Sequence, residues 1–162
     1  MSDKGINELV ATFQKLNTMY PNSKLLLVGD YETELDPLNK ATLKYIEENV
    51  NIINTGWVKD VRPYFAISDI LAFPSYREGF PNVVLQAGAM GLPSIVTDIS
   101  GSNEIIIEGE NGTIIPVKDE SILLKTMLEY YKMRKLFDPT SCRELIVSRF
   151  QNRFKDFYMY SF

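Results

Sequence analysis

Five short runs centred on apolar residues punctuate the chain: KLLLV (24–28), NIIN (51–54), DILAF (69–73), PSIVT (93–97) and GTII (112–115). Each is too short for a stable helix and lacks polar alternation, the pattern of a parallel strand covered on both faces. Helical periodicity fills the intervals. Ile6, Leu9, Val10, Phe13 and Leu16 predict a helix over 4–19, which Pro21-Asn22 stops. Asp36-Pro37 supplies a cap followed by proline at the first helical position, for a helix to about Asn49. Asp60 is placed to cap a short helix through Ile67, and a helix over 81–90 ends at Gly91. Ser102 to Glu108 reads as a short helix and Asp119 or Ser121 starts a long one. Asp138-Pro139 begins a last helix running through the aromatic tail to Phe162. Strands alternating with helices predict one α/β domain over 1–162: a Rossmann-like, doubly wound parallel sheet flanked by helices. Such a sheet normally opens on its central strand. This chain opens on a helix, so the pattern lacks the first central strand.

Composition narrows the function. The 162 residues suffice for one continuous core, and the 45% hydrophobic and 23% charged fractions are those of a soluble globular protein. A formal charge of −4 excludes the broad basic field that nucleic acid requires, though not a local pocket for a phosphate. The absence of histidine removes Ser-His-Asp, Cys-His and histidine acid–base schemes. With Cys142 as the single cysteine no internal disulfide can form, and the near absence of N and S ligands argues against a zinc site. No apolar run approaches the ~20 residues of a membrane span, and the N-terminus lacks a signal-peptide core. The cytoplasm is the expected location, with peripheral contact at the inner face of a membrane left open.

The chemistry concentrates in SYREGFPNVVLQ, Ser75 to Gln86, where DILAF ends and a helix begins. Ligands of open α/β sheets bind beyond the carboxyl ends of strands. Gly79 allows backbone to approach a ligand closely. The helix starting near Pro81 or Asn82 presents free N–H groups and a dipole suited to an anion such as a diphosphate. Glu78 can accept hydrogen bonds from sugar hydroxyls, and Gln86, one to two turns in, can reach a ribose. On spacing alone, an ordinary strand-loop-helix turn with a solvated Glu and a capping Asn fits equally well.

The stretch REGFPNVVLQAGAMGLPSIVTDISGSNEII resembles the signature of the group 1 family of retaining GT-B glycosyltransferases. Its elements are Glu78, Gly79-Phe80, a position seven residues on occupied by Gln86, Gly91-Leu92-Pro93, and Gly101-Ser102-Asn103-Glu104. Asp3-Lys4-Gly5-Ile6 is similar to the lysine-glycine motif opening the first helix of the family's C-terminal domain. LLLVGD, GWVKDVRPYFAISDILAFPSYREG and EGENGTIIPVKD match in order and spacing. The resemblance implies the C-terminal, donor-binding half of a GT-B enzyme that moves a hexosyl or N-acetylhexosaminyl group. A UDP-sugar is the expected donor and a lipid-linked bacterial surface polysaccharide the expected product, with no metal and no separate cofactor. Lys4 would neutralise the donor diphosphate and Glu78 would bind the donor sugar. Ser75 and the amides of Gly79, Phe80, Pro81, Asn82 and Val83 line the same subsite, Pro81 contributing no N–H. Trp57, Val58 and Asp60 would hold the base, although Trp57 packed in the core is an equal reading. Glu104 matches a family position too, with a helix-start role favoured.

Departures from the family pattern carry their own expectations. Gln86 replaces an acid, so a neutral amide stands where a carboxylate would meet the ribose, weakening that contact by roughly 1 kcal/mol. Family members carry an arginine on a strand before the lysine, and an N-terminal domain that binds acceptor. Neither appears here, so Met1 reads as an internal methionine and the chain alone is expected not to turn over. Loss of a central strand predicts either a sheet closed over the gap or a strand borrowed from a neighbour. The tail FQNRFKDFYMYSF (150–162) either packs on its own domain or exposes an aromatic face that drives self-association. Three rivals stand beside this reading. They are a non-catalytic nucleotide-sugar module, an epimerase of the same fold, and a phospho-receiver domain, for which Asp30 alone is too little acid.

Overall fold

The structure, a computed structural model, describes residues 2–30, 36–133 and 137–158, with side chains through Arg153. Helices and strands alternate as α1 (Ile6–Met19), β1 (Leu25–Leu27), α2 (Lys40–Glu48), β2 (Ile52–Asn54), α3 (Arg62–Ile67) and β3 (Leu71–Phe73). They continue as α4 (Asn82–Ala89), β4 (Ser94–Thr97), α5 (Ser102–Ile105), β5 (Gly112–Ile115), α6 (Glu120–Lys132) and α7 (Pro139–Tyr158). Every ladder is parallel. β1 pairs with β2, Leu26 opposite Ile53, while β3, β4 and β5 pair in that order with Ala72 opposite Ile95.

Side-chain alternation along the strands divides the interior. Ala72, Ile95 and Ile115 join Leu9, Val10, Phe13 and Leu16 of α1 and Leu123 and Met127 of α6 on one side. On the other, Leu71, Phe73, Val96 and Ile114 pack with Val84 and Leu85 of α4, Ile105 of α5 and Ile146 of α7. A three-stranded ladder covered on both faces is what the runs without polar alternation require. The four α1 side chains are each under 5% exposed, and burial of such groups contributes about 2 kcal/mol apiece. Because Leu27 of β1 and Ile52 of β2 share that core, α1 is the element that joins the two ladders.

Three expectations need correction. Asp36 does not cap α2. Asn39 does, its side chain accepting the Thr42 N–H at 2.7 Å, while Asp36 accepts the Asp3 N–H at 2.8 Å. The short helix after β4 ends at Ile105 rather than Glu108, because Asn111 draws the Ile107 N–H out of the helical register at 2.7 Å. The sheet does not close over the gap: among the described residues β1 and β3 have no ladder between them. The turn before α1 stands between the loops that follow these strands. Asp3 bonds Asp36 on one side and accepts the Tyr76 N–H at 2.8 Å on the other. β1–β2 and β3–β4–β5 thus wind outward from that turn in opposite senses, which makes it the topological switch point.

Candidate functional site

The site is assembled where the turn at residues 2–5 meets the loop after β3. Gly5, at φ +70°, makes the approach possible, since a Cβ there would lie 2.1 Å from the Pro74 carbonyl oxygen. Buried Ser75 sits at the centre. Its Oγ lies 3.0 Å from Glu78 Oε1, 3.1 Å from the Arg77 carbonyl and 3.2 Å from the Asp3 carbonyl. A hydroxyl donates one hydrogen at a time, so these acceptors share it. Thr97 on β4 anchors the same residue by donating to the Ser75 carbonyl. The Lys4 ammonium pairs with Glu78 Oε1, and Arg77 pairs with Asp3 at 2.8 Å. Lys4 and Glu78, 74 residues apart in sequence, are therefore in direct contact.

Beside this pair, the loop turns into α4. Pro81 is the N-cap residue and lends no side-chain bond. The Val84 and Leu85 N–H groups turn back to the Pro81 carbonyl. The N–H groups of Gly79, Phe80, Asn82 and Val83 meet no acceptor among the described residues. They stand at the positive end of an eight-residue helix. A Cβ at Gly79 would meet nothing within 4 Å, whereas one at Gly101 would lie 2.4 Å from the Gly79 carbonyl oxygen. The 79–81 loop thus rests backbone-to-backbone on the Gly101 turn and leaves its outer side open. Gln86 is half-buried, and its amide makes no hydrogen bond among the described residues.

Trp57, Val58 and Asp60 form a second group, at the end of the β1–β2 ladder. The Gly29 N–H donates to the Gly56 carbonyl at 3.0 Å, and Asp30 accepts the Trp57 N–H at 3.0 Å. The indole is 72% exposed, so the core-packing reading of Trp57 does not hold. Asp60 is engaged by Arg62, whose guanidinium approaches at 2.8 Å and whose N–H donates at 3.0 Å. The Arg62 side chain and then its N–H hold the Asp60 carboxyl below its ordinary pKa. Among the described residues no hydrogen bond or ion pair joins this group to the Lys4–Glu78 pair.

Sequence reasoning missed several members. Asp3 and Arg77 are paired across the turn, and nothing in their spacing signals it. Tyr76 packs against Lys118, whose ammonium lies 4.7 Å from its ring. Burial, then a hydrogen bond to Glu8, raises the Tyr76 phenol above its ordinary pKa. Asp30 was visible at the end of LLLVGD, and its service to the Trp57 amide follows from a strand end facing another strand end. Among the described residues no group of three or more His, Cys, Asp or Glu is placed to hold a metal, and no helix is long and apolar enough to cross a membrane.

Comparison with known proteins follows the same lines. The sequence profile described as "Glycosyl transferases group 1" matches residues 1–133. The chain is 32% identical over 146 residues to the capsular polysaccharide biosynthesis glycosyltransferase CapM of Staphylococcus aureus, covering 90% of this chain and 37% of that protein. It is 28% identical to the UDP-Gal:alpha-D-GlcNAc-diphosphoundecaprenol alpha-1,3-galactosyltransferase of Escherichia coli, covering 88% of the chain and 38% of the relative. The chain thus spans well under half the length of these curated relatives. In fold it is similar to the C-terminal domain of a glycosyl transferase group 1 family protein (LpcC) from Francisella tularensis, with a TM-score of 0.78 at 22% identity over 93% of this chain and 81% of that one. Anabaena Alr3699/HepE, solved in complex with UDP-glucose, matches with a TM-score of 0.79 at 21% identity, over 93% of this chain and 42% of that one.

Proposed function

This chain belongs to the group 1 glycosyltransferases, and on that premise we propose that it forms the donor side of a retaining transferase that uses a UDP-sugar. The observation that carries the reading is the Lys4–Glu78 pair beside the unbonded N–H groups of α4. A nucleotide diphosphate sugar needs cationic and N–H groups for its phosphates and an acceptor for its hydroxyls, within one sugar's width. Here both lie at the switch point. With no donor, Lys4 and Glu78 neutralise each other. On binding, Lys4 turns to the diphosphate and Glu78 to the sugar hydroxyls, while the amides of Gly79, Phe80, Asn82 and Val83 close on the phosphate. As the bond from the sugar's anomeric carbon to the diphosphate oxygen breaks, the electron pair stays on that oxygen. Lys4 and the α4 dipole stabilise the charge that develops there. The acceptor hydroxyl then bonds the anomeric carbon on the face the diphosphate left, its proton passing to the departing diphosphate oxygen, and configuration is retained.

Trp57, Val58 and Asp60 are proposed to hold the uracil, and Gln86 to reach the ribose through its unbonded amide. Transfer, acceptor and product are properties proposed for the whole protein. By likeness to the CapM and E. coli relatives, they are a hexosyl or N-acetylhexosaminyl group and a lipid-linked surface glycan. One observation favours a second reading: the neutral Gln86 suits a module that senses donor without transferring it. Product formation from a UDP-sugar and a lipid-linked acceptor by the whole protein separates the two.

The donor reading is tested by titrating the chain with UDP and with UDP-glucose while following backbone amide resonances. Shifts confined to the turn at residues 2–5 and to residues 56–60 and 75–86 are expected, with the added response to the glucosyl group lost in Glu78→Ala. An unchanged spectrum at saturating UDP would overturn the reading.

A further inference from the structure

Two contacts from α7, far from the site in sequence, converge on the two segments that shape it. The Arg153 guanidinium lies 3.7 Å from the centroid of the Phe80 ring, and Phe150 meets the same ring edge-on at 5.8 Å. One turn earlier, Arg149 donates to the Glu104 carbonyl at 2.7 Å and to the Ile105 carbonyl at 3.1 Å, holding the end of α5. The segments so held are the Gly79–Pro81 loop and α5, whose N-cap residue Gly101 lies backbone-to-backbone against that loop. The base of α7 is fixed by buried Cys142 and by Ile146, which fills the space beside Gly88 of α4. At Phe150 the backbone leaves helical geometry (φ −120°, ψ 21°). The aromatic and cationic contacts to Phe80 are made at this local break and within one turn beyond it.

We propose that α7 is a clamp on the donor site, with Arg153 a positioning residue that holds Phe80 and through it the Gly79–Val83 amides. The inference rests on the donor reading above and goes beyond it by assigning site geometry to a helix that supplies none of the ligand-binding groups proposed there. Phe80 packs in part against the core cluster that holds Val84, Leu85 and Ile146, while its own loop offers it no bond on the outer side. A cation stacked on one face and a ring on its edge restrict it without using any N–H the donor needs.

The test compares the parent chain with Arg153→Ala, Arg153→Lys and Arg143→Ala, the last an exposed arginine on the same helix. UDP-glucose affinity should fall about fivefold in Arg153→Ala, recover in part in Arg153→Lys, and stay at the parent value in Arg143→Ala. Thermal midpoints should agree across the set, which separates positioning from loss of structure. In ligand-free protein, nitrogen-15 relaxation should show lower order parameters for the Gly79, Phe80, Asn82 and Val83 amides in Arg153→Ala alone. Parent-like affinity and order in Arg153→Ala would overturn the clamp while leaving the donor reading intact. If the parent binds neither UDP nor UDP-glucose, the donor reading fails, and the order parameters alone decide whether the clamp exists.

Discussion

At the residue scale, Gly79 and Gly101 separate what the site needs from what the fold needs. A Cβ on Gly79 meets open space, so Gly79→Ala should fold with an unchanged thermal midpoint while losing donor affinity. Gly101→Ala puts a Cβ 2.4 Å from the Gly79 carbonyl oxygen, at φ +85°, and should disturb the loop even without donor. Calorimetric titration with UDP-glucose, alongside thermal melts, distinguishes these outcomes. The Lys4–Glu78 pair makes a sharper prediction. Glu78→Gln removes the charge that engages Lys4, so affinity for UDP alone should rise, by up to about fivefold for a pair this exposed. The extra affinity conferred by the glucosyl group should disappear in the same variant. Loss of UDP binding in Glu78→Gln would mean that the two residues do not exchange partners on binding. Glu78, Gly79 and Lys4 were legible in the sequence because each belongs to a motif. Their contact was not: a pair 74 residues apart depends on Gly5 and Pro74 packing closely, which no local spacing encodes.

At the element scale, helix starts set two expectations. Asp119 caps α6, accepting the Ile122 N–H at 2.9 Å and the Ser121 hydroxyl at 2.7 Å, and Asp138 caps α7 through the Ser141 N–H and hydroxyl. The Ser121 hydroxyl and then the Ile122 N–H lower the Asp119 carboxyl below its ordinary value. The Ser141 N–H and then its hydroxyl do the same for Asp138. A carboxyl whose folded-state pKa is depressed stabilises the fold above its unfolded-state pKa and loses that contribution as pH falls through the folded value. The melting temperature should therefore drop as pH is lowered below about 4, and less steeply in the doubly substituted Asp119→Asn, Asp138→Asn chain. Packing gives the second expectation. A Cβ on Gly88 would lie 2.7 Å from Ile146 Cγ1, between two buried helix faces. Gly88→Ala should cost about 1–3 kcal/mol in urea unfolding, a result that also reports how firmly α7 is seated. Element order was legible throughout, because short apolar runs bounded by turn residues alternate with segments of helical period, although coverage on both faces fails at β2, where Ile53 is 45% exposed. Boundaries were less so. Asp36-Pro37 has the local form of a helix start, yet tertiary contact took the carboxylate to Asp3 and left the cap to Asn39. The kink at Phe150 has no proline or glycine to announce it. The far end of the aromatic tail, on which the self-association reading partly rests, lies outside the residues whose side chains are described.

At the scale of the whole molecule, β1 and β3 each leave one edge unpaired among the described residues, with defined hydrogen-bonding groups. Leu25 donates to the Asn51 carbonyl and Leu27 accepts from Thr55, so the N–H and C=O of Leu26 point away from β2. Leu71 donates to the Pro93 carbonyl on the β4 side, which turns the N–H and C=O of Ala72 away from β4. Such edges template pairing with another strand, and backbone groups kept from water without a partner are costly. The core beneath is already shared by both ladders through α1, so filling the gap requires no repacking of Leu9, Val10 or Phe13. The chain is therefore expected to associate through these edges as concentration rises, which sedimentation velocity over a dilution series would show as a shift from monomer to dimer. Leu26→Pro removes one donor from the free edge while leaving the β1–β2 ladder bonds in place. It should weaken association with little change in far-ultraviolet circular dichroism. Removing residues 154–162 provides the contrasting arm: if association vanishes there and persists in Leu26→Pro, the aromatic tail rather than the open sheet joins the molecules. A monomer at every concentration would mean that α1 and the turn at residues 2–5 shield both edges well enough that the switch point is stable without a strand between them.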